Sequence, residues 1–206
     1  MDHDGLSVHP DGRLRCWWCG DDPDYVAYHD GEWGRPVREE RHLFEKLSLE
    51  AFQSGLSWLT ILRKRPAFRS AFSGFDAEVV AGFDTNDVER LLADAAIVRN
   101  RAKIEATIAN AQALLRLRES GGSLESLAWS YAPAPRARPT RPSAVPATTD
   151  ASKGLARTLK GHGFRFVGPT TAYAFMQAMG LVDDHLDGCH VPEQDTGPAG
   201  HTDLAT

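Results

Sequence analysis

DASKGLARTLKGHGFRFVGPTTAYAFMQAMG, residues 150–180, decides the fold. DASKGLARTLK reads as one helix and PTTAYAFMQAMG as a second, with Pro169 at the favoured first helical position and Gly180 at the end. Between them GHGFRFVG (161–168) contains three glycines, too many to continue a helix. Two helices joined this way form a helix-hairpin-helix. Backbone N–H groups at such a hairpin and at the following helix N-terminus can donate to a phosphate. Gly168 would let the backbone approach closely, with Lys153, Lys160 and Arg165 nearby; Lys160, Arg165 and Gly168 are the candidate DNA contacts. On these residues alone an ordinary αα-hairpin with glycine caps stays open. The usual DNA-binding hairpin also has two glycines flanking its apolar residue, and here Phe166 stands at the first of those positions.

Outward from the hairpin, the pattern is helical almost throughout. In REERHLFEKLSLEAFQSGLSWLTILRK, Leu43, Phe44, Leu47, Phe52, Leu56, Leu59 and Leu62 recur at helical spacing across two helices. Pro66 is expected to start a short helix, Asp76 to cap another, and Asn86 with Glu89 to cap a third. VRNRAKIEATIANAQALLRLRES is the clearest helix, with Ile104, Ile108, Ala111 and Leu115 as its stripe and Gly121-Gly122 as its stop. Residues 132–150 form a proline-rich surface loop whose Arg136, Arg138 and Arg141 could reach phosphate. No strand is expected. The fold class is all-α, with a disordered leader (1–14), one domain (15–190) and a flexible tail (191–206).

Composition sets the class. The 206 residues are 42% hydrophobic and 25% charged, as in a globular domain with a true core. No apolar run approaches the roughly 18 residues of a membrane span, and the N-terminus lacks the apolar core of a secretory signal. Three cysteines without an export signal point to a reducing cytoplasm rather than a disulfide scaffold. The net charge of −5 counts against holding DNA by bulk electrostatics, though local Lys and Arg can still release counterions. A monomer is expected.

DHLDGC (184–189) puts His185 and Cys189 four apart, a zinc half-site in search of two more ligands. One set takes Cys16-x-x-Cys19; another takes Cys16 and His29. Either joins the first folded residues to the last, and with every position filled by protein the metal would be structural. Unmetallated buried thiols are the plainer alternative.

RCWWCGDDPDYVAYHDGEWG (15–34) gathers three of the five tryptophans and two of the four tyrosines with no helical or strand period. Downstream, Glu50 lies inside the apolar run SLEAFQSGLSWL beside Gln53 and Trp58. A carboxylate there must find a partner or face a cavity, and aromatics around one carboxylate suit a flat, positively charged ring. Core filler beside an exposed Glu50 is the alternative.

YVAYHDGEWGRPV (25–37), LEAFQSGLSWLTILRKRPAFRSAF (49–72), DAAIVRNRAKIEATIANAQA (94–113) and GFRFVGPTTAYAFMQAMGLVDDHLDGC (163–189) together resemble the 3-methyladenine DNA glycosylase I (Tag) family over about residues 15–189. The resemblance implies a helix-hairpin-helix glycosylase fold that excises 3-methyladenine from damaged double-stranded DNA. It implies a structural zinc on Cys16, His29, His185 and Cys189, with Cys19 a spare thiol. It also implies a base pocket of Glu50, Tyr28 and Trp58, with Trp18 and Trp33 as walls and Gln53 nearby. Asp184 is expected to orient His185. No lysine is placed as a Schiff-base nucleophile, so a monofunctional enzyme is expected. The rival class is a non-catalytic, zinc-stabilised helix-hairpin-helix DNA-binding module, which would leave the aromatic–carboxylate cluster idle.

Overall fold

A computed structural model describes residues 4–194. Among these residues the body is built from nine α-helices: α1 (Pro23–Gly31), α2 (Glu40–Gln53), α3 (Trp58–Ala71), α4 (Ala77–Ala81), α5 (Thr85–Ala93), α6 (Arg101–Glu119), α7 (Leu124–Trp129), α8 (Asp150–Gly161) and α9 (Pro169–Ala178). Eight of them start on a side-chain cap: Asp22, Glu39, Ser57, Asp76, Asp84, Asn100, Ser123 and Thr149 each accept from first-turn N–H groups. Only α9 begins without one, on Gly168. None of these helices is long and apolar enough to cross a membrane.

Several local expectations are corrected. Pro66 does not start a helix; it lies inside α3 on the exposed face, where the bond lost with its missing N–H faces solvent. The cap of α5 is Asp84 with Asp87 in a capping box, not Asn86 with Glu89. In α6, Leu114 and Leu117 are buried whereas Leu115 is only half-buried. A strand pair also exists: β1 (Leu6–Val8) runs antiparallel to β2 (Leu14–Cys16), with Leu6 opposite Cys16. Three-residue strands are too short to show a period of two. What holds them lies far away in sequence, because Leu6 packs on Leu186, Cys189 and Val191. The leader is therefore structured at residues 6–8. The tail is held at its start, where Val191 is buried and Arg138 donates to the carbonyls of Val191 and Pro192. Residues 195–206 lie outside the described residues.

Three packings position the site. Helix α9 lies against both α8 and α2, while α1 and α2 pack on α3. The core under them is rich in phenylalanine, with Phe52 and Phe68 4.7 Å apart between ring centroids. The chain after α1 runs along the end of α9, Gly34 N–H donating to Ala178 O and Val37 N–H to Met179 O. Gly180 permits this crossing. Its φ is +72°, and a Cβ there would lie 2.5 Å from the Arg35 carbonyl carbon.

The hairpin between α8 and α9 buries Phe164 and Val167 and exposes Arg165 and Phe166. Asn110 of α6 clamps it, accepting from Arg165 N–H at 2.7 Å and donating to Arg165 O at 3.2 Å. Phe166 takes a φ of +55°, the left-handed region favoured by glycine, so the backbone turns as a glycine hairpin would despite the side chain.

Candidate active site and metal centre

Helices α1, α2 and α3 and the turn before α1 surround a cavity of about 250 Å³. Glu50 and Gln53 come from α2, Tyr28 from α1 and Trp58 from α3, with Trp18 and Trp33 on the remaining side. All six residues expected at a base pocket border this one space. The rings of Tyr28 and Trp58 are 5.4 Å apart at 44°, and Trp18 meets Trp33 edge-on at 4.9 Å. Glu50 is buried, so its carboxylate faces a cavity rather than solvent. Among the described residues, Trp58 Nε1 is the only buried side-chain polar atom without a partner. A buried donor in that state is open to an incoming acceptor.

Lys46 also borders the cavity, a residue not singled out from the sequence. Its Nζ lies 2.7 Å from Glu50 Oε1, donates to Tyr28 Oη at 2.9 Å and sits 3.2 Å from the Trp58 ring centroid. Burial pulls its pKa down to about 8, against the opposing pull of Glu50. Tyr28 is pushed well up, by burial first and the Glu50 charge second. A Lys–Glu pair four apart on a helix reads as a surface pair. The overlooked signal was its place in the stripe of Leu43 and Leu47, both fully buried.

Behind the aromatic wall, Cys16, His29, His185 and Cys189 are buried and bring their donor atoms within 4.8 Å of one another, a set that could hold a metal ion. Sulfur-to-nitrogen separations are 3.7 Å from Cys16 to His185, 3.7 Å from Cys189 to His185 and 3.6 Å from Cys189 to His29. The alternative set with Cys19 is not assembled. Trp17–Cys19 form a 3-10 turn that directs the Cys19 thiol to Cys16 O, at 3.2 Å. With the two clustered thiols in contact, Cys189 ionises well below the usual thiol range, chiefly through Cys16 and then His185 and His29. Cys16 is pushed up by that neighbour and by burial.

Both imidazoles are fixed from behind. His29 Nδ1 lies 2.8 Å from Asp30 Oδ1, and His185 Nε2 lies 3.1 Å from Trp33 O, leaving the opposite nitrogens toward the sulfurs. Burial raises the Asp30 carboxyl, but Arg15, His29 and His190 outweigh it and hold the group well below the usual carboxylate range. The expected role of Asp184 is overturned. It accepts from Arg136 at 2.6 Å, Tyr173 at 2.6 Å and Gln177 at 2.9 Å, whereas Asp183 accepts the His185 backbone N–H. Arg136 and Arg138 are thus spent on Asp184 and Asp183, folding the proline-rich loop back onto the chain end.

A sequence model described as methyladenine glycosylase matches residues 18–192. The chain belongs to the methyladenine glycosylase family. DNA-3-methyladenine glycosylase 1 of Escherichia coli strain K12 is 47% identical over 177 residues, 85% of this chain and 95% of that protein. A crystal structure of 3-methyladenine DNA glycosylase I superposes with a TM-score of 0.83 at 46% identity, covering 85% of this chain and 98% of the other. A tyrosine-to-phenylalanine variant of a 3-methyladenine DNA glycosylase I, crystallised with 3-methyladenine, gives 0.82 at 37% identity over 86% and 97%. The methyladenine glycosylase match begins after Cys16, so the strand pair and one of the four clustered donors lie before it.

Proposed function

We propose that this chain is a DNA-3-methyladenine glycosylase of base-excision repair that hydrolyses the N-glycosidic bond of 3-methyladenine in alkylated double-stranded DNA. The observation that carries the reading is the single cavity in which a buried Glu50 meets Tyr28, Trp58, Trp18 and Trp33. A base inside a duplex is out of reach, so the lesion must be flipped outward at a cost of a few kcal/mol, least for a base that pairs badly. Methylation at N3 leaves the adenine cationic. Glu50 accepts from the exocyclic amine side and balances that charge, while Tyr28 and Trp58 stack on the ring for about 1–2 kcal/mol of cation–π attraction. Gln53 supplies a further polar contact. Neutral adenine gains less from each term, which gives selectivity.

The bond electrons between C1′ and N9 pass to the base, which leaves neutral, and water adds to the oxocarbenium-like sugar. A leaving group that starts as a cation needs no strong acid. Lys46 is held between Glu50, Tyr28 and Trp58, so the enzyme is monofunctional and leaves the strand unnicked.

Zinc fits the four-donor cluster. Bonds of about 2.3 Å to sulfur and about 2.0–2.1 Å to nitrogen place tetrahedral donors about 3.5 Å apart, close to the 3.6–3.7 Å found. Four protein ligands leave no open position, so the role is structural, holding the chain's two ends together and backing the pocket wall. Trp18 lies 5.2 Å from His29 and Trp33 lies 4.7 Å from His185, ring centre to ring centre.

DNA is held at the hairpin, where Gly168 opens α9 with no side-chain cap and Lys160 and Arg165 are exposed. A Cβ at Gly168 meets nothing within 4 Å, so the free fold tolerates alanine. Gly168→Ala is expected to leave the melting temperature unchanged yet weaken binding to abasic-site DNA roughly tenfold, about 1.4 kcal/mol. Equal affinity for both proteins would remove the hairpin from the interface.

Incubating methylated DNA with the protein and separating the released bases by chromatography tests the whole reading. Free 3-methyladenine from an intact strand is expected. DNA retained with no base released would instead favour a zinc-stabilised helix-hairpin-helix binding module.

A further inference from the structure

Lys46 is the charged group in the cavity that excision chemistry leaves without a task. Its ammonium already engages what is assigned to the flipped base: the Glu50 carboxylate, the Tyr28 hydroxyl and the face of Trp58. The empty pocket therefore contains its own cation. A cationic base arriving beside it meets a carboxylate whose charge is spent.

We propose that Lys46 is a titrating positioning residue of the base pocket, which holds Glu50 and Tyr28 in place as an ammonium and gives up one proton to solvent when a cationic nucleobase docks. The inference rests on this cavity being the base pocket.

The surrounding charges favour it. From α2 Lys46 is faced by Glu50, Glu45 and His42, from α1 and the chain after it by Tyr25, Tyr28, Glu32 and Arg35, and from α3 by Arg65 and Arg69. His42 is paired with Glu39. Glu45 is paired with Arg69 and Glu32 with Arg65. Across the cavity, Asp184 is engaged by Arg136 and Tyr173. Only Glu50 is left as counter-charge. With the Lys46 pKa already at about 8 through burial, one more cation within a few ångströms carries it below neutrality. Loss of the proton does not undo the positioning. A neutral amine keeps two N–H donors, enough for Glu50 Oε1 and Tyr28 Oη, while the Glu50 charge passes to the base. Once the base has left as a neutral molecule, Lys46 takes a proton back from solvent, so the cycle balances.

The probe is 3,9-dimethyladeninium, a permanently cationic purine, titrated calorimetrically at pH 7 in phosphate and in Tris, whose ionisation enthalpies differ. A large fraction of one proton should be released per cation bound, and affinity should rise as the pH is raised from 6 to 8 and level off above about pH 9. Neutral adenine should release none. Lys46→Met, and Lys46→Gln as a variant that keeps a donor, should bind the cation without proton release and independently of pH. Binding to the wild type without proton exchange, or equal release by both variants, would overturn the role of Lys46 alone. A cation that does not bind, or whose affinity is indifferent to Glu50→Gln, would overturn the pocket and the proposal together.

Discussion

Glu50→Gln is expected to lower the single-turnover rate of 3-methyladenine release by roughly 10²–10³-fold, the range seen when one preorganised charge-stabilising group is removed from an active site. An amide keeps the shape of the carboxylate but not its charge, so on the proposed role of Glu50 the cationic base would lose the group that balances it. The same change strips Lys46 of its counter-charge, since Nζ is 2.7 Å from Glu50 Oε1. A buried ammonium left alone costs about 3–5 kcal/mol unless it sheds its proton. The sign follows from the Lys46 pKa of about 8 against its ordinary 10.5. A base whose folded pKa is depressed destabilises the fold fully below that pKa, and the penalty fades as pH rises toward the unfolded value. Removing Glu50 moves that window lower. The variant should therefore melt below the wild type by a margin that narrows from pH 6 to pH 9, with metal content unchanged. Base release at the wild-type rate would end the role given to Glu50.

If the four-donor cluster holds zinc as proposed, removing the metal should have the largest effect on stability. A ligand present at a thousand times its dissociation constant stabilises the native state by about 4 kcal/mol. At about 2–4 °C per kcal/mol for a chain of this size, stripping it with a chelator should lower the melting temperature by about 8–16 °C. Cys189→Ala should reproduce the shift and become insensitive to chelator. Because Trp18 and Trp33 lie on His29 and His185, tryptophan emission should change in step, and affinity for the base should fall with it. An unchanged melting curve between metal-loaded and metal-stripped protein would contradict the proposed structural role of zinc.

Much of this site was legible in the chain. Aromatics concentrated at 15–34 without a period, and a glutamate inside an apolar run, are hard to place except around a cavity, and the structure puts Tyr28, Trp33, Glu50 and Trp58 there. The choice between Cys19 and His29 was not legible from spacing, because it turns on one short turn that points the Cys19 sulfur away. The strand pair escaped because its stabilising partners are at Leu186 and Val191. Lys46 escaped although it shares a face with the buried Leu43 and Leu47, because a lysine four residues before a glutamate reads as a solvent-facing pair. The Asp183 and Asp184 roles depend on where a proline-rich loop folds back, and no local rule places Arg136 or Arg138.

The four-donor cluster also dictates an order of assembly. Cys16 and His185 are 169 residues apart, and His29 and Cys189 are 160 apart. A ring that long offers nothing for its lost chain entropy until the helices between have brought its ends close. In refolding, amides of α6 should gain protection from hydrogen exchange before the sulfurs meet, and a metal ion supplied late should accelerate nothing except that final closure.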